Sequence, residues 1–167
     1  MTRALRIAAQ TLLYGAFLAV IGYFSVRPVY QSVAPDQALI KLSFSHAAQP
    51  VGACHRRTPE ELARLPPNMR APEVCPRERS PVVFALELDG HVAYEAVLPP
   101  TGFARDGAAR LYRRFPVAAG EHRLRARLRD NVRDTGYTYT REEKITLVPG
   151  QVFVIDFNPR RGGFVFK

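Results

Sequence analysis

Cys54 and Cys75 are the only two thiols of the chain and the first place to look for chemistry. Their spacing contains no Cys-x-x-Cys, and a zinc site would want more ligands than two cysteines provide. In an oxidising compartment the two should pair. Closing a loop of about 20 residues would stabilise the fold by roughly 3 kcal/mol in the chain-entropy account. Free or catalytic thiols and a metal pair are the sharper alternatives. The histidines are His46, His55, His91 and His122, and none forms a ligand pair at helical spacing. His46 and His55 could gather with Met69 into a copper site of soft and imidazole ligands. Solvated surface histidines are the plainer reading.

Nothing else in the chain carries catalytic spacing. Ser43, Ser45 and Ser80 lack the context of a nucleophile elbow. Glu60 with Glu61, Glu87, and Glu142 with Glu143 suit helix capping or solvated positions. Gly162-Gly163 lacks the lysine and following helix of a phosphate loop. The expectation is a protein that is not an enzyme and holds no cofactor.

Arginine is the residue type that stands out. Residues 100–136 hold Arg105, Arg110, Arg113, Arg114, Arg123, Arg125, Arg127, Arg129 and Arg133 against Asp106, Glu121, Asp130 and Asp134, a local excess of five positive charges. Arg123, Arg125, Arg127 and Arg129 alternate strictly with Leu124, Ala126 and Leu128. On a strand that alternation puts four guanidinium groups on one face and the aliphatic residues in the core. A guanidinium fork fits carboxylates and phosphates. The stripe is therefore a solvated face, an edge strand protected by its charge, or a docking surface for an acidic protein or anionic headgroups.

The elements that must position these groups begin with the N-terminal segment. Residues 7–26 contain no charge. As a helix rising ~1.5 Å per residue they span the roughly 30 Å hydrocarbon core of a bilayer. A secretory signal peptide is the competing reading. Val20-Ile21-Gly22 is a weak cleavage site, and Phe24, Val26, Arg27 and Pro28 make a poor exit, which favours retention. No cysteine follows the apolar stretch to carry a lipid. Arg3, Arg6 and the terminal amine favour a cytoplasmic N-terminus, with Arg27 on the other flank. Residues 1–6 are then cytoplasmic, 7–26 transmembrane and 27–167 a periplasmic domain of a bacterial inner-membrane protein. Ala8, Thr11, Gly15, Ala19 and Gly22 recur at steps of three and four. They line one helix face with small side chains, either because such residues are common in membrane helices or because another integral membrane subunit docks there.

The chain has 24 basic and 15 acidic residues, a net charge of +9. Such an excess draws anions, but a domain exported on a membrane anchor rarely meets nucleic acid, so none is expected as partner.

Residues 37–46 alternate as a half-buried strand, with Ile40, Leu42 and Phe44 facing one way and Leu39, Lys41, Ser43 and Ser45 the other. The pattern then fails. Pro50, Pro59, Pro66, Pro67, Pro72, Pro76 and Pro81 mark residues 47–81 as a proline-rich loop closed by the two cysteines. Within it, Thr58-Pro59-Glu60-Glu61 spells the start of a short helix with a capping box. Beyond it, residues 82–88 and 91–98 flank Asp89-Gly90, a hairpin signal. Further strands are expected over residues 110–117, 122–129, 137–140 with 144–148, 151–157 and 164–166. Seven or eight short strands with regular turns point to an all-β, antiparallel sandwich of Ig-like type.

Asp89-Gly90, then Pro99-Pro100, then Ala119-Gly120-Glu121-His122-Arg123-Leu124 follow the order of turns in PEGA-like envelope domains, which residues 82–129 therefore resemble. The family's own Pro-Glu-Gly-Ala string is absent, and residues 50–81 have no counterpart in it. The resemblance implies a non-catalytic envelope domain and identifies no ligand.

The function expected from these residues is binding: an accessory subunit of an inner-membrane protein complex. An assembly factor or metallochaperone for a respiratory membrane enzyme is the alternative. An envelope enzyme whose site no motif reveals comes last.

Overall fold

A computed structural model describes residues 2–27 and 33–167. The chain divides into two compact units, Met1–Ser32 and Val33–Lys167. The first is one helix, α1 (Arg3–Val26), longer than the uncharged stretch by the turn that holds Arg3 and Arg6. None of its residues is buried. It is long and apolar enough to cross a membrane.

The second unit is mostly strand. In chain order it holds β1 (Gln37–His46), β2 (His55–Arg56), the short helix α2 (Pro59–Ala63), β3 (Glu73–Val74), β4 (Val82–Leu88), β5 (His91–Leu98), β6 (Ala109–Ala118), β7 (Gly120–Arg129), β8 (Tyr139–Leu147), β9 (Val152–Asn158) and β10 (Gly163–Phe166). One four-stranded sheet runs β10-β9-β1-β6 and the other β5-β4-β7-β8, while β2 and β3 pair by themselves.

Alternation decides which face each strand buries. Ile40, Leu42 and Phe44 from β1, Val82, Phe84 and Leu86 from β4, Leu124, Ala126 and Leu128 from β7, and Phe153, Ile155 and Phe157 from β9 form one apolar cluster. Phe84 is fully buried and joins the two sheets, with ring centroids 5.5 Å from Phe44 and 5.9 Å from Phe164. Full burial of side chains this large is worth about 1.5–3 kcal/mol each.

The hairpin forms as its sequence requires. Asp89 and Gly90 both take positive φ, 53° and 82°, which a type I′ turn needs. Gly163 sits at φ 122°, where a Cβ would lie 3.2 Å from the Tyr139 ring, so glycine permits β10 to approach β8.

Two features depart from the sequence reading. The sheets are not wholly antiparallel, because β1 and β9 pair in parallel, with Leu39 beside Val152 and Leu42 beside Ile155. After β8 the chain turns at Val148–Gln151 and begins β9 next to the start of β1, with Gly150 N–H donating to the Gln37 carbonyl. Both strands then leave the same end in the same direction. Residues 137–140 and 144–148 also do not form two pieces, since β8 runs unbroken from Tyr139 to Leu147.

Candidate functional site

The arginine stripe occupies β7, which is an interior strand rather than an edge. β4 lies on one side and β8 on the other. Arg123, Arg125, Arg127 and Arg129 face away from the core while Leu124, Ala126 and Leu128 are fully buried. The register decides their electrostatics. Arg125 stands opposite Glu87 of β4 and opposite Glu142 of β8. Its Nη1 lies 3.7 Å from Glu87 and its Nε 3.6 Å from Glu142. Arg123 Nε is 2.5 Å from the same Glu142. Arg127 donates to Glu87 and stacks its guanidinium 4.5 Å from the Tyr137 ring centroid, although its Nε is buried with no hydrogen-bond partner among the described residues. Arg129 donates to the Asp134 carbonyl. Two carboxylates thus thread between three guanidinium groups, with Glu95 exposed on β5 and Glu121 exposed on β7 itself. The stripe is a mixed-charge lattice and not an open row of cations.

At one end of this sheet, two of the turn signals meet. Asp89 Oδ2 lies 2.7 Å from His122 Nδ1, and Asp89 Oδ1 accepts the Arg123 backbone N–H at 2.8 Å. His122 Nε2 faces the Ala118 carbonyl at 2.9 Å. Both ring nitrogens therefore face acceptors, an arrangement that the doubly protonated ring satisfies. The Asp89 carboxylate, assisted by the Ala118 carbonyl, raises the His122 pKa above its ordinary 6.5 against the opposing effect of burial. The Arg123 N–H, and then His122, hold Asp89 below its ordinary 3.8.

The proline-rich segment lies beyond the opposite end of β1. Cys54 and Cys75 are joined in a disulfide. No residue from 51 to 79 is buried, so polar contacts and the disulfide, rather than a core, hold this segment. Thr58 and Glu61 close the capping box of α2 reciprocally. The Arg57 guanidinium donates to the Met69 and Ala71 carbonyls. Arg79 fastens the return of the loop, donating to the Ala48 carbonyl at 2.7 Å and to the Asp106 carbonyl at 2.9 Å.

The copper grouping does not assemble. His46 is buried, its ring in edge contact with Phe157 and its Nε2 2.8 Å from Asp130 Oδ2. His55 is exposed and turns its Nε2 toward Glu61 at 3.4 Å. Among the described residues, the one cluster of potential metal ligands is Cys54, Glu73 and Cys75, whose sulfurs are bonded to each other.

The His46–Asp130 pair was not read from the sequence. Its signal was available: after Ile40, Leu42 and Phe44, His46 falls on the core-facing parity of β1. A histidine forced inward needs a polar partner. Ser80 is the third buried polar residue here, its Oγ accepting the Val132 N–H at 3.2 Å and its own N–H donating to the Gln49 carbonyl. These groups tie the ends of β1 and β7 to the return from the proline-rich segment.

On α1, Ala8, Thr11, Gly15 and Ala19 line a shallow groove with Leu12 and Ala16, and Gly22 falls on the same face one turn on. Thr11 returns its hydroxyl to the Ile7 carbonyl at 3.0 Å, so its polar group is satisfied within the helix. A Cβ added at Gly15 or Gly22 would meet nothing within 4 Å.

No family model, curated protein or solved structure matches this chain.

Proposed function

We propose that this protein is a single-pass, membrane-anchored binding module whose β-domain lies on the periplasmic side of a bacterial inner membrane, and that it serves as an accessory subunit of a membrane protein complex. The observation that carries this reading is α1 itself. Leu12, Leu13, Phe17, Leu18 and Phe24 are each more than half exposed, and no residue of the helix is buried. Such a helix requires an apolar surrounding, and a bilayer supplies one. The Cys54–Cys75 disulfide supports an oxidising compartment for the β-domain. The small-residue face of α1 is then the surface for another membrane helix.

The β-domain belongs in this reading to the Ig-like sandwich class and to its PEGA-like envelope branch. Two four-stranded sheets sharing one core support the class. The Asp89–His122 contact, which joins the Asp-Gly hairpin to the Gly-x-His strand start, supports the branch. The test is purification of the tagged full chain from native membranes in gentle detergent, with mass spectrometry of co-migrating proteins and metal analysis. Stoichiometric membrane partners are expected. A chain that migrates alone would overturn the accessory-subunit reading, and bound copper would favour a metallochaperone.

A further inference from the structure

The positive charge that β7 neutralises is left free on the other sheet. Antiparallel pairing sets Lys41 of β1 opposite Arg114 of β6, Ser43 opposite Tyr112, and Ser45 opposite Arg110. The residues between them, Ile40, Leu42, Phe44 and Leu111, are buried, so this alternate set shares the outer face. Among the described residues, neither Lys41, Arg110 nor Arg114 has a carboxylate partner. Asp156, on the same face of β9, is occupied by Lys167 at 3.4 Å.

A lysine directly opposite an arginine destabilises an antiparallel pair. The corresponding position on β7 and β8 places Arg125 opposite Glu142. Protection of a sheet edge accounts for charge on β6, which is an edge strand, and for Arg113, which reaches back over the Tyr94 ring. It does not account for Lys41, because β1 is flanked by β9 and β6. Tyr112 lies among these cations, 59% exposed, with Lys41 Nζ 5.6 Å from its ring centroid. Where β1 begins, Pro116, Val148 and Val152 are also exposed.

Unpaired cations around a tyrosine, bordered by exposed aliphatic groups, match the layers of an anionic bilayer surface. Cations meet phosphates, the phenol sits at headgroup level, and aliphatic groups reach the acyl boundary. We propose that the outer face of β1 and β6 docks on anionic phospholipid headgroups through Lys41, Arg110, Arg114 and Tyr112. This rests on the membrane-anchored reading, under which attachment to the bilayer through α1 keeps the lipid surface at high effective concentration.

The chain contains no tryptophan, so Tyr112→Trp in the full-length protein is a unique reporter. The protein is reconstituted into phosphatidylcholine vesicles with and without phosphatidylglycerol, each carrying a brominated lipid quencher. In the anionic vesicles the expected result is blue-shifted emission and several-fold stronger quenching. High salt removes both, and so does adding Lys41→Gln, Arg110→Gln and Arg114→Gln to the reporter. Arg133→Gln, elsewhere in the domain, leaves them in place. An unchanged urea midpoint in the triple variant shows that loss of quenching is not loss of fold. Equal quenching in both lipids, or quenching that survives the triple variant, overturns the proposal. So does an acidic protein that the triple variant fails to retain while quenching ignores lipid charge. Release of the wild-type chain from vesicles by alkaline carbonate is a different result, and it overturns the anchor reading instead.

Discussion

His46 Nε2 lies 2.8 Å from Asp130 Oδ2 although 84 residues separate the two in sequence, and both side chains are sealed from solvent. The contact joins the last residue of β1 to the residue that follows β7. It sits where the Gln49 N–H donates to the Asp130 carbonyl. One polar bond therefore fastens strands of both sheets at the end from which the proline-rich segment departs.

Removing one member leaves the other buried without its partner. Asp130→Leu is expected to destabilise the protein by about 1–3 kcal/mol, the cost of an unsatisfied buried polar group. His46→Leu with Asp130→Leu is expected to lose less than the two single changes summed, because no orphaned polar group remains. Urea unfolding of the four proteins in a double-mutant cycle measures the coupling. Additive single effects would show that the pair does not act as a unit.

The Asp89–His122 contact predicts a pH profile. His122 binds its proton more tightly folded than unfolded, so its contribution is fully present below its ordinary pKa of 6.5 and is lost as pH rises through the raised folded value. Asp89 behaves oppositely: its contribution is present above 3.8 and is lost as pH falls through the lowered folded value. Both operate between those two ordinary values. The stability gap between wild type and His122→Gln should therefore be widest at mildly acidic pH and narrow above neutrality. Unfolding midpoints across pH measure it, and a gap independent of pH would contradict the assignment.

Glu87 and Glu142 should differ in weight. The Glu87 side chain is 17% exposed and serves both Arg125 and Arg127, whereas Glu142 is 37% exposed. Glu87→Gln leaves Arg127, itself 24% exposed, without its carboxylate and should destabilise by about 1–3 kcal/mol. Glu142→Gln should cost no more than about 1 kcal/mol, as exposed ion pairs do. Equal effects in urea titrations would show that burial does not set the hierarchy.

Loss of the Cys54–Cys75 bond should act locally. Nothing from 51 to 79 is buried, so reduction, or Cys54→Ala with Cys75→Ala, removes a staple and leaves the core as it was. Loop entropy sets the scale of the loss at about 3 kcal/mol, felt in the opening of this segment rather than in the sheets. Hydrogen exchange should accelerate in α2, β2 and β3 while β4 and β7 remain protected. Acceleration spread evenly through both sheets would show that the loop supports the core.

Sequence alone determined what is local in this protein. An uncharged run of 20 residues makes an apolar helix, Asp89-Gly90 makes a type I′ turn, and Thr58 with Glu61 caps α2, because each depends on residues a few positions apart. Alternation likewise placed Leu124, Ala126 and Leu128 in the core and the four arginines outside it. Tertiary structure alone decided what stands beside each strand. A period of two names the face of a residue and not its neighbour, so only the register identifies Glu87 and Glu142 as the carboxylates beside the arginines of β7. By the same rule Lys41, Arg110 and Arg114 on β1 and β6 have no carboxylate partner among the described residues, β1 runs parallel to β9, and Asp130, indistinguishable in sequence from a turn acid, is the buried partner of His46.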